Sequence, residues 1–303
     1  MTLTRAPALL LLLGLAHCAA GPGAGPATGG TQPECRYDTT QGLALQGPTG
    51  LLLPAEINGQ ALLMEVNTGL GLSSLLPAVA GRLELPPDPT RQSSYGGRGA
   101  PITARNVLAR SLRIGPQAWS DVSLGVRPVA GDRAPDGFLA ADLLQQTELE
   151  LELGARRVAL HPRRNCRAGE PPWAPAASLP LMLREHGTPV ITVRINGEPV
   201  QAVIQSGNNA TILNRRLAER LRLPAAAATG RRSRSQDLRG MDGRGTEYRV
   251  ALAAGAETLP DQLVVVSDES GGQDLVLGQD WLARRKVWIS YGGRRVFLAP
   301  PGG

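Results

Sequence analysis

The sequence predicts a mainly β fold built as two lobes, and three observations carry that prediction. With 37 glycines, 25 prolines and only 3% aromatic residues, the chain favours short strands and tight turns over long helices. One unit occurs twice, at a constant offset of 138 residues. Each copy has Asn-Gly between apolar runs, a strong hairpin signal, and in the first copy Glu148, Glu150 and Glu152 alternate with Leu149, Leu151 and Leu153. That period of two marks a half-buried strand.

The repeat keeps one register in two separated blocks. Ile57-Asn58-Gly59 matches Ile195-Asn196-Gly197, and Asn67-Thr68-Gly69 matches Gln205-Ser206-Gly207. Leu75, Ala80, Arg82, Leu83, Leu85 and Pro86 match Leu213, Ala218, Arg220, Leu221, Leu223 and Pro224. Much later, Asp136, Leu139, Asp142 and Leu144 match Asp274, Leu277, Asp280 and Leu282, and the segments from Gly154 and Gly292 match through Pro162 and Pro300. Chance does not keep one register across blocks this far apart.

Each unit therefore has one order of elements. A strand, the Asn-Gly hairpin and a second strand lead into the Thr-Gly or Ser-Gly turn. Helical spacing follows at Leu76–Leu83 and at Ile212–Leu221. A Gly-rich polar hairpin comes next, at Ser94–Ala100 and at Leu238–Glu247. An apolar run ends in Asp142-Leu-Leu or Asp280-Trp-Leu, where each aspartate is placed to cap a short helix. A hairpin closes the unit, at Glu148–Leu160 or Lys286–Leu298. The first lobe spans 42–165 and the second 181–303. A Pro-rich linker, 166–180, joins them, and Trp173 is its one anchoring residue.

This constellation resembles one lobe of the retropepsin and pepsin-like aspartic proteases, and its duplication resembles bacterial two-lobed members of that clan. The resemblance covers about residues 42–300, and Asp274-Leu-Val-Leu-Gly278-Gln-Asp280-Trp-Leu is close to the family's closing motif. It implies the two-lobed acid-protease fold. It also implies that each lobe offers one aspartate, and that the two share a proton and activate a water against a peptide carbonyl. In this chain Asn67 and Gln205 stand at the two aspartate positions. Thr68 and Ser206 hold the places of the residues that reach across the lobe axis, and Gly69 and Gly207 hold the turn glycines. Tyr95 stands where the flap tyrosine belongs. Leu70, Asn208 and Ala140 depart from the family pattern, whereas Gly278 keeps it.

An amide has no useful basicity near neutral pH, so neither side chain can take a proton from water or return one to a leaving amine. No catalytic residue is therefore expected at these degenerate positions. The two amides are instead expected to hydrogen-bond to each other across the axis. The resemblance thus implies a catalytically inactive pseudoprotease that binds extended peptide or a protein partner in the former cleft. The alternatives are an active endopeptidase using an unrecognised dyad, or a structural envelope lipoprotein. No cofactor and no metal are expected. His161 and His186 have no paired Cys or acid at ligand spacing.

Residues 1–18 read as a signal peptide, with Arg5 ahead of a short apolar run from Ala8 to Ala16. Leu15-Ala16-His17-Cys18 resembles a lipobox, so Cys18 is the candidate lipidation site, and ordinary cleavage near Ala20 is the alternative. Residues 19–41 read as a flexible tether. With Cys18 lipidated or removed, Cys35 and Cys166 remain, either as a disulfide or as two buried thiols. These features point to an exported protein, periplasmic or anchored to the outer membrane through lipid. A monomer with pseudo-two-fold symmetry is expected. The net charge of +6 is carried almost entirely by arginine, with Lys286 the single lysine. Basic residues are not interleaved with aromatics, so nucleic acid is excluded as a partner class.

Overall fold

Asn-Gly fixes the first hairpin of each lobe by its backbone. Asn58 and Asn196 adopt φ of 51° and 49°, and Gly59 and Gly197 follow at 81° and 89°. Two successive positive φ values define the tight turn whose twist suits flanking strands. These angles come from a computed structural model, which describes residues 35–37, 42–47, 50–95, 102–128, 135–163, 169–236, 242–268 and 272–301. Residues 1–34 and Cys166 lie outside the described residues, as do 96–101 and 237–241, which fall within the two expected Gly-rich hairpins.

In chain order the first half contains β1 (Leu43–Ala44), β2 (Leu52–Ile57), β3 (Gln60–Asn67), β4 (Ser74–Leu75), α1 (Pro77–Arg82), β5 (Pro87–Tyr95), β6 (Ile102–Ile114), β7 (Gln117–Val126), β8 (Gly137–Ala140), α2 (Ala141–Leu144), β9 (Thr147–Glu152) and β10 (Arg157–Pro162). The second half contains β11 (Ala177–Pro180), β12 (Met182–Leu183), β13 (Pro189–Ile195), β14 (Glu198–Ile204), β15 (Ile212–Asn214), α3 (Arg215–Arg220), β16 (Ala228–Gln236), β17 (Asp242–Ala254), β18 (Glu257–Ser267), β19 (Leu275–Leu277), α4 (Gln279–Leu282), β20 (Lys286–Ser290) and β21 (Arg295–Ala299). The fold is mainly β, with two equivalent lobes. The first lobe is a sheet in the order β2-β3-β8-β4-β7-β6-β5, and the second runs β12-β13-β14-β19-β15-β18-β17-β16.

The duplication extends to backbone strain and to ion pairs. Left-handed residues recur at the sequence offset, Glu84 with Arg222 and Arg156 with Arg294. Arg82 meets Asp136 at 3.2 Å, and their counterparts Arg220 and Asp274 meet at 3.6 Å. The Asn58 side-chain carbonyl accepts the Ser111 N–H, as that of Asn196 accepts the Ala251 N–H.

Three local expectations are corrected. Helical spacing from Ile212 gives way to strand β15, because Ile212 and Leu213 pair in parallel with Val265 and Val266. The helix starts only after Asn214, whose side chain accepts the Arg216 N–H as an N-cap. Asp142 and Asp280 do not cap α2 and α4, since Ala140 and Gly278 hold those cap positions. The last part of the linker is ordered sheet, with Ala177–Pro180 paired against β21.

A third sheet, in the order β1-β10-β9-β20-β21-β11, takes strands from both halves. Its seam is β9 against β20, with Leu151 opposite Val287 and Leu149 opposite Ile289. These four side chains are fully buried and join the main core. The opposite face was expected to meet solvent. Instead Glu148, Glu150 and Glu152 are buried, at 0%, 2% and 8% exposure. Tyr37 covers that face by packing on His161 and Trp288, with ring centroids 5.4 and 4.9 Å away. Trp173 donates its indole N–H to Glu150 at 3.1 Å, which makes the linker's anchor an ionic-core contact.

Charge pairing makes this burial tolerable. Glu150 lies 3.1 Å from Lys286 Nζ and 3.1 Å from His161 Nε2. Glu152 takes the Arg157 guanidinium at 2.8 Å. Burial alone would raise the Glu150 carboxyl, but His161 and Lys286 overcome it and hold it below the usual range. Glu148 has weaker help, with Arg163 Nε at 3.6 Å, and burial pushes it up to about 7.

The sign of the Glu148 effect is opposite to that of an ordinary paired carboxylate. Between its unfolded value near 4.5 and about 7 the folded state binds more protons, so stability falls as pH rises through that window. A shift of that size corresponds to about 3 kcal/mol at most. Glu148→Gln, which imitates the protonated form, is expected to flatten the pH 5–8 stability curve and raise stability at pH 8. Urea unfolding at the two ends of the range measures it, and an unchanged slope in the variant counts against this account.

Candidate functional site

Each half builds the head of its turn in the same way. Strand β3 ends at Asn67, with β8 parallel beside it, Asn67 opposite Ala140. The chain then turns and returns as β4 on the far side of β8. In the second half β14 lies parallel to β19, and the chain returns as β15. Both turns are thus held between buried strands.

The two turns meet through a closed set of hydrogen bonds. Thr68 N–H donates to Ser206 Oγ at 3.0 Å, and Ser206 N–H donates to Thr68 Oγ1 at 3.0 Å. Thr68 hydroxyl donates to the Ile204 carbonyl at 2.6 Å, and Ser206 hydroxyl donates to the Val66 carbonyl at 2.7 Å. Both residues are fully buried. Each hydroxyl therefore uses its proton on one strand of the other lobe and accepts an amide from the other turn. Such buried hydrogen bonds each contribute about 1 kcal/mol net, and an unmatched partner costs more.

The glycines are required by close approach, not by their φ angles. A Cβ on Gly69 would lie 2.3 Å from Gln205 Cγ, and one on Gly207 would lie 1.9 Å from Asn67 Nδ2. Each amide side chain thus packs over the opposite lobe's glycine. Asn67 and Gln205 are 4% and 8% exposed. Asn67 Oδ1 accepts the Gly69 N–H at 3.2 Å. The expected hydrogen bond between the two amides is not formed among the described residues. The longer Gln205 runs its methylenes across Gly69, and Asn67 folds back onto its own turn.

Aspartates brace these turns from behind. Asp142 Oδ1 accepts from Ser73 N–H at 2.9 Å, Ser73 hydroxyl at 2.6 Å and Leu143 N–H at 2.9 Å. Asp280 Oδ1 accepts from Thr211 hydroxyl and Trp281 N–H, both at 2.8 Å. Burial raises both carboxyls, opposed by these hydrogen bonds. Ser73 and Thr211 pass the brace on, by accepting the Ala140 and Gly278 N–H groups. Gly278 has no room for a side chain, since its Cβ would lie 2.3 Å from the Ala210 carbonyl.

Tyr95 ends strand β5 opposite Ile102. Its hydroxyl lies over Gly125 of its own lobe, where a Cβ would approach it to 1.8 Å, and the Arg127 guanidinium lies 4.3 Å over its ring. Cys35 is buried, and Gly169, just past Cys166, donates its N–H to the Tyr37 hydroxyl. Among the described residues no group of three or more His, Cys, Asp or Glu is placed to hold a metal ion.

The two halves match family models separately. One described as "Aspartyl protease" matches residues 53–143, and one described as "gag-polyprotein putative aspartyl protease" matches residues 191–284. The chain belongs to the retropepsin-like aspartic protease family. The matched segments contain both turns of this retropepsin-like protein, the second closing motif whole and the first through Leu143. No curated protein matches the chain.

Some polar residues were not legible as partners in the sequence. His161 does have an acid beside it, Glu150, contrary to the expectation from spacing. The signal was present in the closing hairpin, where His161 stands opposite Glu148 and one diagonal step from Glu150. Gln279 donates to the Ser206 carbonyl at 2.8 Å, a contact to the second turn that no motif announced.

Proposed function

We propose that this retropepsin-like protein is a catalytically inactive family member that binds extended peptide in the cleft between its lobes. The observation that carries the reading is the intact cross-lobe hydrogen-bond set of Thr68 and Ser206 with buried amides at the heads of the turns. The frame that aligns two reacting groups is kept, while the groups in the frame cannot exchange protons. A cleft of that shape retains its use for backbone recognition, in the manner of strand addition. Retention of the paired hairpin strands β5–β6 and β16–β17 in both lobes supports this use.

Titration of the purified chain with a library of extended peptides tests the reading. Saturable binding with no product by mass spectrometry is the expected result. Cleavage by the unaltered chain, or no saturable binding across the library, overturns it. The reading also includes export, lipid attachment at Cys18 and a Cys35–Cys166 disulfide. The intact non-reduced mass of the mature chain distinguishes a lipid-bearing Cys18 from cleavage near Ala20, and alkylation counts the free thiols.

A further inference from the structure

Where the two lobes share a sheet, five buried polar atoms have no hydrogen-bond partner among the described residues. They are both carboxylate oxygens of Glu148, Arg163 Nε, Trp288 Nε1 and the Tyr291 hydroxyl. Buried polar atoms are normally paired, so orphans gathered around one acid need a reason. All five are closed to solvent, so water cannot answer them while the sheet stays covered.

The elements packed on Glu148 leave its charge incompletely met. From β10 come His161, its pairing partner, and just past the strand Arg163. From β20 come Ser290, directly opposite, Trp288 and, just past the strand, Tyr291. Tyr37 faces it from the N-terminal side, and Glu150 is its neighbour along β9 on the same face. His161 and Lys286 are engaged by Glu150, each at 3.1 Å. Arg163 stands off at 3.6 Å, and its Nη2 already donates to the Gln145 carbonyl at 2.6 Å. Ionised, Glu148 is therefore a buried carboxylate without a hydrogen bond, a costly state that protonation removes. Burial pushes this carboxyl up to about 7, so both states are reached in the ordinary pH range.

A thin cover keeps water from this face. Tyr37 packs on His161 and Trp288 and accepts the Gly169 N–H on its hydroxyl at 3.3 Å, and Trp173 donates its indole N–H to Glu150. The other face of the same strands, with Leu149, Leu151, Val287 and Ile289, belongs to the main core. The cover can thus lift and hydrate Glu148 without opening either lobe. We infer that this cover is a proton-operated lid on the joint between the lobes: it is sealed while Glu148 keeps its proton, and it lifts locally, with both lobes folded, once that proton is lost. Lifting gives the Glu148 carboxylate and the Trp288 indole N–H the water that their orphaned atoms lack.

Hydrogen exchange of the indole N–H groups in the full chain, followed by NMR at pH 5.5 and pH 8 and corrected for the intrinsic rate, tests the lid. Trp288 is buried at the joint, whereas Trp119 and Trp281 are buried in the first and second lobes. The opening constant at Trp288 is expected to rise about 30-fold from pH 5.5 to pH 8, the proton linkage of an acid that returns from about 7 under the lid to its ordinary value in water. At pH 8 Trp288 should exchange faster than Trp119 and Trp281 and hardly respond to low urea, since a local opening exposes little surface. Glu148→Gln, which keeps the neutral form, should hold Trp288 exchange slow at both pH values. Should that variant not fold, the pH series of the parent decides alone. A corrected Trp288 rate that does not change with pH, one that merges with Trp119 and Trp281 and shares their urea response, or a pH rise that survives in Glu148→Gln overturns the inference.

Discussion

Restoring carboxylates at both turns, as Asn67→Asp with Gln205→Asp, is expected to give an acid-dependent endopeptidase. The turn frame needed for the chemistry is already assembled by Thr68 and Ser206. Shortening Gln205 also withdraws its methylenes from Gly69, which clears space between the turns for a water. Two carboxylates brought together share one proton, so activity should appear at acid pH and fade toward neutrality. General acid–base catalysis is worth roughly 10²–10⁴ in rate, and groups that act as a unit give nothing singly. Each single change should therefore remain inactive. The assay is casein hydrolysis between pH 3 and 7, with a transition-state inhibitor of aspartic proteases as control. A double variant that folds with the stability of the parent and cleaves nothing would show that the cleft lacks more than its acids.

Removing the charge of Lys286 is expected to be among the most destabilising single changes. Its ammonium lies 3.1 Å from Glu150 and is 6% exposed, against 2% for its partner. Lys286→Met keeps much of the aliphatic stem and leaves Glu150 with His161, Trp173 and a more distant Arg157 at 3.7 Å. Breaking a buried pair by removing one partner typically costs about 3–5 kcal/mol, because the remaining charge stays out of water. The loss should grow as pH rises past the ordinary glutamate range. Adding Glu150→Gln to Lys286→Met should recover a good part of it, and a double-mutant cycle by urea denaturation reads the coupling. A Lys286→Met protein within about 0.5 kcal/mol of the parent would rule out the pair as a main tie between the lobes.

Local elements were well marked in the sequence. The Asn-Gly turns needed only two residues and their positive φ, and both formed where they were read. The closing hairpins Glu148–Leu160 and Lys286–Leu298 match strands β9–β10 and β20–β21 closely, the first read from its alternation and the second from the repeat. Failures came where a local preference was overruled. Ile212 and Leu213 fit a helical face, yet they sit between β18 and β19 and are fixed by ladder bonds to both. Alternation at Glu148–Leu153 identified the strand but misread its outer face, because Tyr37, Trp173 and Trp288 come from distant parts of the chain.

The candidate site divides in the same way. Thr68, Gly69, Ser206 and Gly207 were legible because a duplication compares the chain with itself, and positions under the same steric demand keep the same small residues. The same comparison placed Asn67 and Gln205 at the turn heads. It could not show where their side chains go. That depends on the opposite lobe's glycine, 138 residues away, and on one methylene of difference between the two amides.

By itself, then, the sequence determined the two-lobed plan, the order of elements in each lobe and the residues at both turns, all of which follow from periodicity, turn chemistry and an internal repeat. Tertiary structure alone decided that β9 pairs with β20 to make one sheet from two lobes, that three glutamates lie buried on one face of it with Glu150 paired to the single lysine, and that the two amides cross over glycines and do not meet. The physical reason is common to all three. Each depends on which surfaces are pressed together and what they exclude water from, and no window of neighbouring residues carries that information.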